Sequence, residues 1–178
     1  TLPVQVWRSP RRPERMVAVL EGAERHDGAY PHFLNSAPGP TIPFMPKDDG
    51  GDLVETALLM MGLLTARQYF VGEAALAARI TTLFDRVEWD FYRNGQNVLY
   101  WHWSPRFGWA MNHSIRGWNE TLIVYVLAAG ASRHGIGRDI YEHGFCNNEE
   151  YRNGRDYHGV RLPLGPDLGG PLFFAHYS

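Results

Sequence analysis

The chain has 178 residues, a formal net charge of −2 and 13% aromatic side chains. That length supports one domain with a real core. The near-neutral charge, with basic residues gathered only between Trp7 and Arg15, argues against nucleic acid, whose binders carry a concentrated basic face. The longest apolar run, Ala57 to Leu64, is far short of the roughly 20 residues that a membrane span needs. One cysteine, Cys146, rules out an internal disulfide framework. No segment has the charged-then-apolar form of a signal peptide.

Thr1 to Pro10 reads as a loop or extended entry. Pro13 suits the start of a helix, and Arg15 to Arg25 has helical spacing in Met16, Val17, Val19, Leu20 and Ala23. His26-Asp27-Gly28 ends it. Ala29 to Pro46 holds five prolines in eighteen residues, which excludes a long helix or a central strand. It also carries Tyr30, His32, Phe33 and Phe44, so it reads as an ordered loop packed over something. A long helix then starts at Asp52 and runs to about Gly72. Its apolar residues cover most of its circumference, which predicts burial on all sides. A second helix over Glu73 to Tyr92 is amphipathic, with Leu76, Ile80, Leu83, Phe84, Val87 and Phe91 recurring at three and four. Asn97 to Glu120 holds four of the six tryptophans and reads as a β-hairpin or a long ordered loop. A third helix, opening at Glu120, is again apolar nearly all round. A polar turn and a short outer helix follow over Arg133 to His143. Gly144 to Ser178 reads as loops. Buried helix, amphipathic helix, then the same again is the pattern of inner and outer helices in a layered all-α fold.

Acids open both apolar helices. Asp52-x-x-Glu55 has the spacing of a capping box, and Asn119 with Glu120 suits a helix start. Capping is therefore one reading and chemistry the other. If the inner helices point the same way, Asp48, Asp49, Asp52, Glu55 and Glu120 share one face. His32, Phe33, Tyr100, Trp101, His102, Trp103 and Trp118 from the preceding loops surround it. Carboxylates beneath aromatic platforms describe a sugar site: glycoside hydrolysis needs a protonated carboxyl for the leaving oxygen and a second carboxylate for water or carbon. No cofactor or metal is expected, because no HxxxH, HExxH, GxSxG or Walker-type loop is present. Sugar epimerisation, with a base among His32, His102 and His176, is a rival chemistry. A non-catalytic sugar-binding domain and a structural helical piece whose acids are caps are rivals of other classes.

The strings GGDLVETALLMMGLLTARQYF, YWHWSP, GWNETLIVYVLAA and LPLG…GGPLFFAHYS resemble the bacterial glucoamylase-like family, which includes endo-β-1,2-glucanases and is related to domains of cyclic β-1,2-glucan synthases. The resemblance runs from about Gly28 to Ser178. It implies an (α/α)6 toroid-type barrel with a sugar pocket at one end, long aromatic loops and an inverting mechanism on β-1,2-glucan. An exo-acting or glucosyl-transferring relative is the near alternative. Residue by residue, it implies Glu120 as general acid. Asp52 and Glu55 bind hydroxyls or position water. Asp48, His32, Phe33, Tyr100, Trp101, His102, Trp103, Trp118, Asn119 and His176 form subsites. Family members run to roughly twice this length, so residues 1–178 read as the N-terminal portion of such a catalytic domain. The partners implied are an oligo- or polysaccharide, and either the remainder of the barrel or a second copy. The resemblance also implies a periplasmic or extracellular setting.

Overall fold

A computed structural model describes residues 10–34 and 41–177. The entry segment expected over 1–9, the centre of the proline-rich loop (35–40) and Ser178 lie outside the described residues. Helix α1 spans Arg11–Gly22, α2 Leu53–Tyr69, α3 Ala74–Asp85 and α4 Leu122–Gly130. A short α5, Arg138–Ile140, continues into a π-helical turn at Tyr141–Cys146, and α6 spans Leu172–Tyr177. α2 packs against both α3 and α4, and α1 packs against α3. That is the expected layering of inner and outer helices. Two pairs of two-residue antiparallel strands complement it: β1 (Gly51–Asp52) with β2 (His102–Trp103), and β3 (Asp156–Tyr157) with β4 (Val160–Arg161).

One core runs through the layers, with Trp89, Tyr30, Tyr92, Tyr125 and Phe145 as its largest fully buried side chains. Buried hydroxyls find partners, as burial demands. Tyr30 donates to the Leu20 carbonyl at 3.0 Å, Tyr92 to that of His26 at 2.8 Å and Tyr125 to that of Ile115 at 3.0 Å. On the outer layer, Arg79 of α3 holds Glu21 of α1 through two hydrogen bonds, at 2.8 and 2.7 Å.

Several sequence-based expectations are corrected. α1 begins at Arg11, ahead of Pro13, because proline is tolerated in a first turn where the N–H has no helical partner. α2 is not buried all round. Leu53, Val54, Thr56, Ala57, Met60 and Leu63 are buried, whereas Met61 and Tyr69 are exposed. Periodicity cannot distinguish a face buried by this chain from an apolar face left uncovered. α3 stops at Asp85 rather than Tyr92. The Asp27-Gly28 turn packs against the chain there, and Glu88 N–H donates to the Asp27 carbonyl at 3.1 Å. A Cβ on Gly28, whose φ is +82°, would meet the Arg86 carbonyl at 1.9 Å. Val87 and Trp89 then turn into the core, so they keep the apolar spacing without the helix.

α4 begins at Leu122, two residues after Glu120. Asn119 Oδ1 accepts from the Thr121 N–H at 3.1 Å and from its hydroxyl at 2.5 Å, a local side-chain turn that competes with helix. Asn119 therefore folds the approach to α4 rather than capping its first turn. The tryptophan-rich stretch folds back on itself like an irregular hairpin, with antiparallel bridges Tyr100–Ser114 and Ser104–Gly108, and its β2 residues pair in addition with β1. The outer helix expected over Arg133 to His143 is largely the π-helical turn. It lets Gly144 approach Asn97 and Val98, where a Cβ would lie 2.7 and 2.8 Å from their backbone atoms. The β3–β4 hairpin and α6 fall where only loops were expected. Their residues are mostly exposed and carry no apolar period.

Candidate functional site

The acidic entry to α2 is stitched to the aromatic segment by main-chain pairing. Gly51 pairs with Trp103 and Asp52 with His102, while Leu53 N–H donates to the Trp101 carbonyl at 2.8 Å. Two glycines permit this approach. A Cβ at Gly50 would lie 2.1 Å from the Trp103 carbonyl, and one at Gly51 would lie 2.0 Å from the Tyr92 hydroxyl. Gly-Gly ahead of the helix is therefore a steric requirement of bringing the acids beneath the aromatic strand.

Three buried acids then each meet a different partner. Asp48 Oδ1 lies 3.2 Å from His102 Nε2 but has no hydrogen bond among the described residues, because that nitrogen accepts the Gly50 N–H at 3.2 Å. Asp49 accepts from the Ser104 hydroxyl at 2.5 Å and from Arg106 Nε. The Ser104 hydroxyl in turn accepts the Arg106 and Phe107 N–H groups, closing the turn. Asp52 is fully buried, and both its oxygens are engaged. Oδ1 accepts from the Val54 and Glu55 N–H groups, both at 3.0 Å, and Oδ2 lies 3.0 Å from His32 Nδ1. The capping reading of Asp52 is thus correct. The reciprocal half of a capping box is not formed, because the Asp52 N–H donates to the Tyr30 carbonyl at 2.8 Å. This leaves the Glu55 carboxylate, half-buried at the first turn, with no hydrogen bond among the described residues.

Electrostatics separates these groups. Burial pushes the Asp52 carboxyl above its ordinary range, more than the backbone and His32 hydrogen bonds lower it. Burial acts on Asp49 too, but Ser104 and Arg106 outweigh it and hold that carboxyl low. Burial keeps His102 below the usual histidine range despite Asp48 beside it, so the imidazole is neutral near pH 7. Glu120, in the turn before α4, carries one carboxylate oxygen, Oε2, that is shielded from solvent and has no hydrogen-bond partner among the described residues.

The aromatics divide. Trp103 packs edge-on against Phe91 at 5.6 Å, and Trp109 lies 5.4–5.9 Å from Phe91, Tyr92 and Tyr100. Trp103 and Tyr100 therefore brace the loop as part of a packed cluster. Trp101 stacks on His113 at 4.9 Å with ring planes 16° apart. Together with Arg116, Asn119 and Thr121, these two line a cavity of about 350 Å³. His32 stacks on Phe44 at 4.1 Å and meets Phe33 edge-on at 4.9 Å. Trp118 meets Tyr151 at 5.8 Å, toward the C-terminal loops. His176 is exposed on α6, which packs against the 3-10 turn Asp167–Gly169.

Motif reasoning missed two features. Ser104 and Arg106 hold Asp49, although SPR in the sequence signals only a turn. His32, Asp48 and Asp52 also place one imidazole nitrogen and two carboxylate oxygens within 4.8 Å of one another. These are the described residues best suited to hold a divalent ion. Linear spacing conceals the group, because His32 arrives from the proline-rich loop.

Residues 112–178 match a family model described as "Putative glucoamylase". The chain is 42% identical to an exo β-1,2-glucooligosaccharide sophorohydrolase (non-reducing end) of Parabacteroides distasonis, covering 92% of this chain and 26% of that protein. Among solved structures, it matches an endo-β-1,2-glucanase of Chitinophaga pinensis in complex with sophorotriose and glucose: 45% identity, TM-score 0.89, 94% of this chain and 42% of that one. A β-1,2-glucanase of Parabacteroides distasonis matches at 39% identity and TM-score 0.91 over 98% of this chain and 28% of that one. The chain thus spans between about a quarter and under half of these relatives' length. In its helix-rich fold and over nearly its whole length, the chain is similar to part of these glucoamylase-like and β-1,2-glucan-acting proteins.

Proposed function

We propose that this chain is the N-terminal portion of a glycoside hydrolase catalytic domain that cleaves β-1,2-glucan with inversion, and that its helices belong to an (α/α)6 barrel. The carrying observation is Glu120: a carboxylate oxygen withdrawn from water, with no hydrogen-bond partner among the described residues, suits a group held for a ligand's proton acceptor. In this reading Glu120 donates its proton to the leaving glycosidic oxygen. Glu55, without a hydrogen bond among the described residues, binds a hydroxyl or positions water. Asp52 is fully occupied as helix cap and as partner of His32, so it acts by orienting His32 and contributes no free oxygen to the sugar. His102, neutral and buried beside Asp48, braces the acidic loop. Trp101 and His113 form one wall of a subsite, with the 350 Å³ cavity beside it. The second carboxylate that inversion requires is Glu55 or a residue of the larger domain. The activities of the relatives support the linkage, and the sophorohydrolase favours an exo-acting variant as a second reading. A periplasmic or extracellular setting follows from the same resemblance.

The test uses Glu120→Gln with β-1,2-glucan, starch and β-1,3-glucan as substrates and NMR to follow the anomeric configuration, in the full-length protein. Turnover should fall at least about a thousandfold, the scale of losing a positioned acid and its electrostatic contribution. Binding should persist. A Glu120→Gln enzyme of wild-type rate, or products with retained configuration, would overturn the assignment.

A further inference from the structure

We propose that Phe44 is a substrate-contacting residue: with Phe33 it forms an aromatic platform at the rim of the acidic site that stacks on one glucosyl unit of a β-linked gluco-oligosaccharide. This deepens the sugar-site reading above and rests on it.

Four observations converge on Phe44. Its ring is 48% exposed and that of Phe33 47%, at 5.5 Å and 68° to each other. Ile42 and Met45 flank them with similar exposure, so the patch is contiguous rather than a lone surface ring. The platform is fixed to the chemistry: Phe44 N–H donates to the Asp48 carbonyl and Asp48 N–H to the Met45 carbonyl, both at 2.9 Å, while Phe33 bridges to Ile42. Finally, Phe44 lies nearly parallel to His32, 4.1 Å away with 20° between planes, and His32 is the partner of buried Asp52.

The chemistry selects the ligand. An apolar ring pair joined to an acid–imidazole pair fits a molecule with one C–H face and an edge of hydroxyls, which is a pyranose. A wholly apolar ligand would leave the polar edge unsatisfied. An anion would meet Asp48 and Asp52. Phe33 and Phe44 stand outside the buried core cluster to which Ala29, Tyr30 and Leu53 belong.

The test is calorimetric titration of the full chain with sophorotriose, and with a β-1,4-linked glucotriose for comparison, using wild type, Phe44→Ala, Phe44→Trp and Glu120→Gln. Phe44→Ala is expected to weaken sophorotriose about tenfold, equivalent to roughly 1.4 kcal/mol. Phe44→Trp should retain affinity, and the circular dichroism of all variants should match wild type. Undiminished binding by Phe44→Ala, with Glu120→Gln also binding normally, would overturn the platform and leave the sugar site standing. No binding of either sugar by wild type would overturn both. If Phe44→Ala loses affinity and Phe44→Trp loses it equally, stacking is overturned as the cause.

Discussion

Asp49 and Asp52 sit three residues apart, are both buried, and are pushed in opposite directions. Asp52 has a raised folded-state pKa, so below the unfolded value of about 3.9 its contribution is fully present, and it is lost as pH rises through the folded value. Asp49 has a lowered one, so its contribution is present above the unfolded value and lost as pH falls through the folded value. Replacing each by asparagine should therefore change stability with opposite pH trends. Asp49→Asn should cost about 1.5–3 kcal/mol near neutral pH, the range for hydrogen bonds to a charged group, and less in acid. Asp52→Asn keeps an oxygen for the helix cap and should compare best with wild type near neutral pH and worst in acid. Urea melts at several pH values read both trends, and parallel trends in the two variants would contradict the electrostatic account. The residue types were legible in the sequence, including the capping spacing at Asp52. The partners were not: His32, Ser104 and Arg106 come from segments 20 to 57 positions away.

At the scale of elements, the β1–β2 contact matters more than its two-residue length suggests. It holds the start of α2 under Trp101, His102 and Trp103, and it depends on Gly50 and Gly51 having no side chain. Gly50→Ala forces a methyl group onto a backbone carbonyl that cannot rotate away. A loss of about 1–3 kcal/mol is expected, as in overpacked cores, together with weaker saccharide binding. An unchanged denaturation midpoint would show that the two segments separate freely. The helices themselves were readable, since α2 and α4 are long apolar runs and α3 has a clear apolar period. Their ends were less so. α3 stops early because Gly28 packs against Arg86 and Val87, and α4 starts late because Asn119 bonds Thr121 locally. Both are decided by contacts outside the periodic pattern.

Across the whole molecule, the two innermost helices keep apolar side chains facing outward. Met61 and Tyr69 of α2 and Val126 of α4 are 37, 59 and 55% exposed. Exposed apolar surface of this kind marks association sites or aggregation liabilities. The isolated 178-residue chain should therefore form dimers or larger species in sedimentation velocity, and Val126→Lys should shift it toward monomer with its circular dichroism intact. A sharp wild-type monomer at every concentration would contradict this. The sequence alone determined the helical layers and the resemblance to glucoamylase-like proteins, because apolar patterning and long motifs are local and need no partner. Tertiary structure decided which acids are spent on holding the fold and which remain available. Asp48, Asp49, Asp52, Glu55 and Glu120 are alike in sequence. Among the described residues, pairing Asp52 with His32 and Asp49 with Arg106 leaves Glu55 without a hydrogen bond and Asp48 and Glu120 each with one buried oxygen that accepts none. That distinction arises only when distant segments close on one another, since a carboxylate's role follows from the donors that reach it.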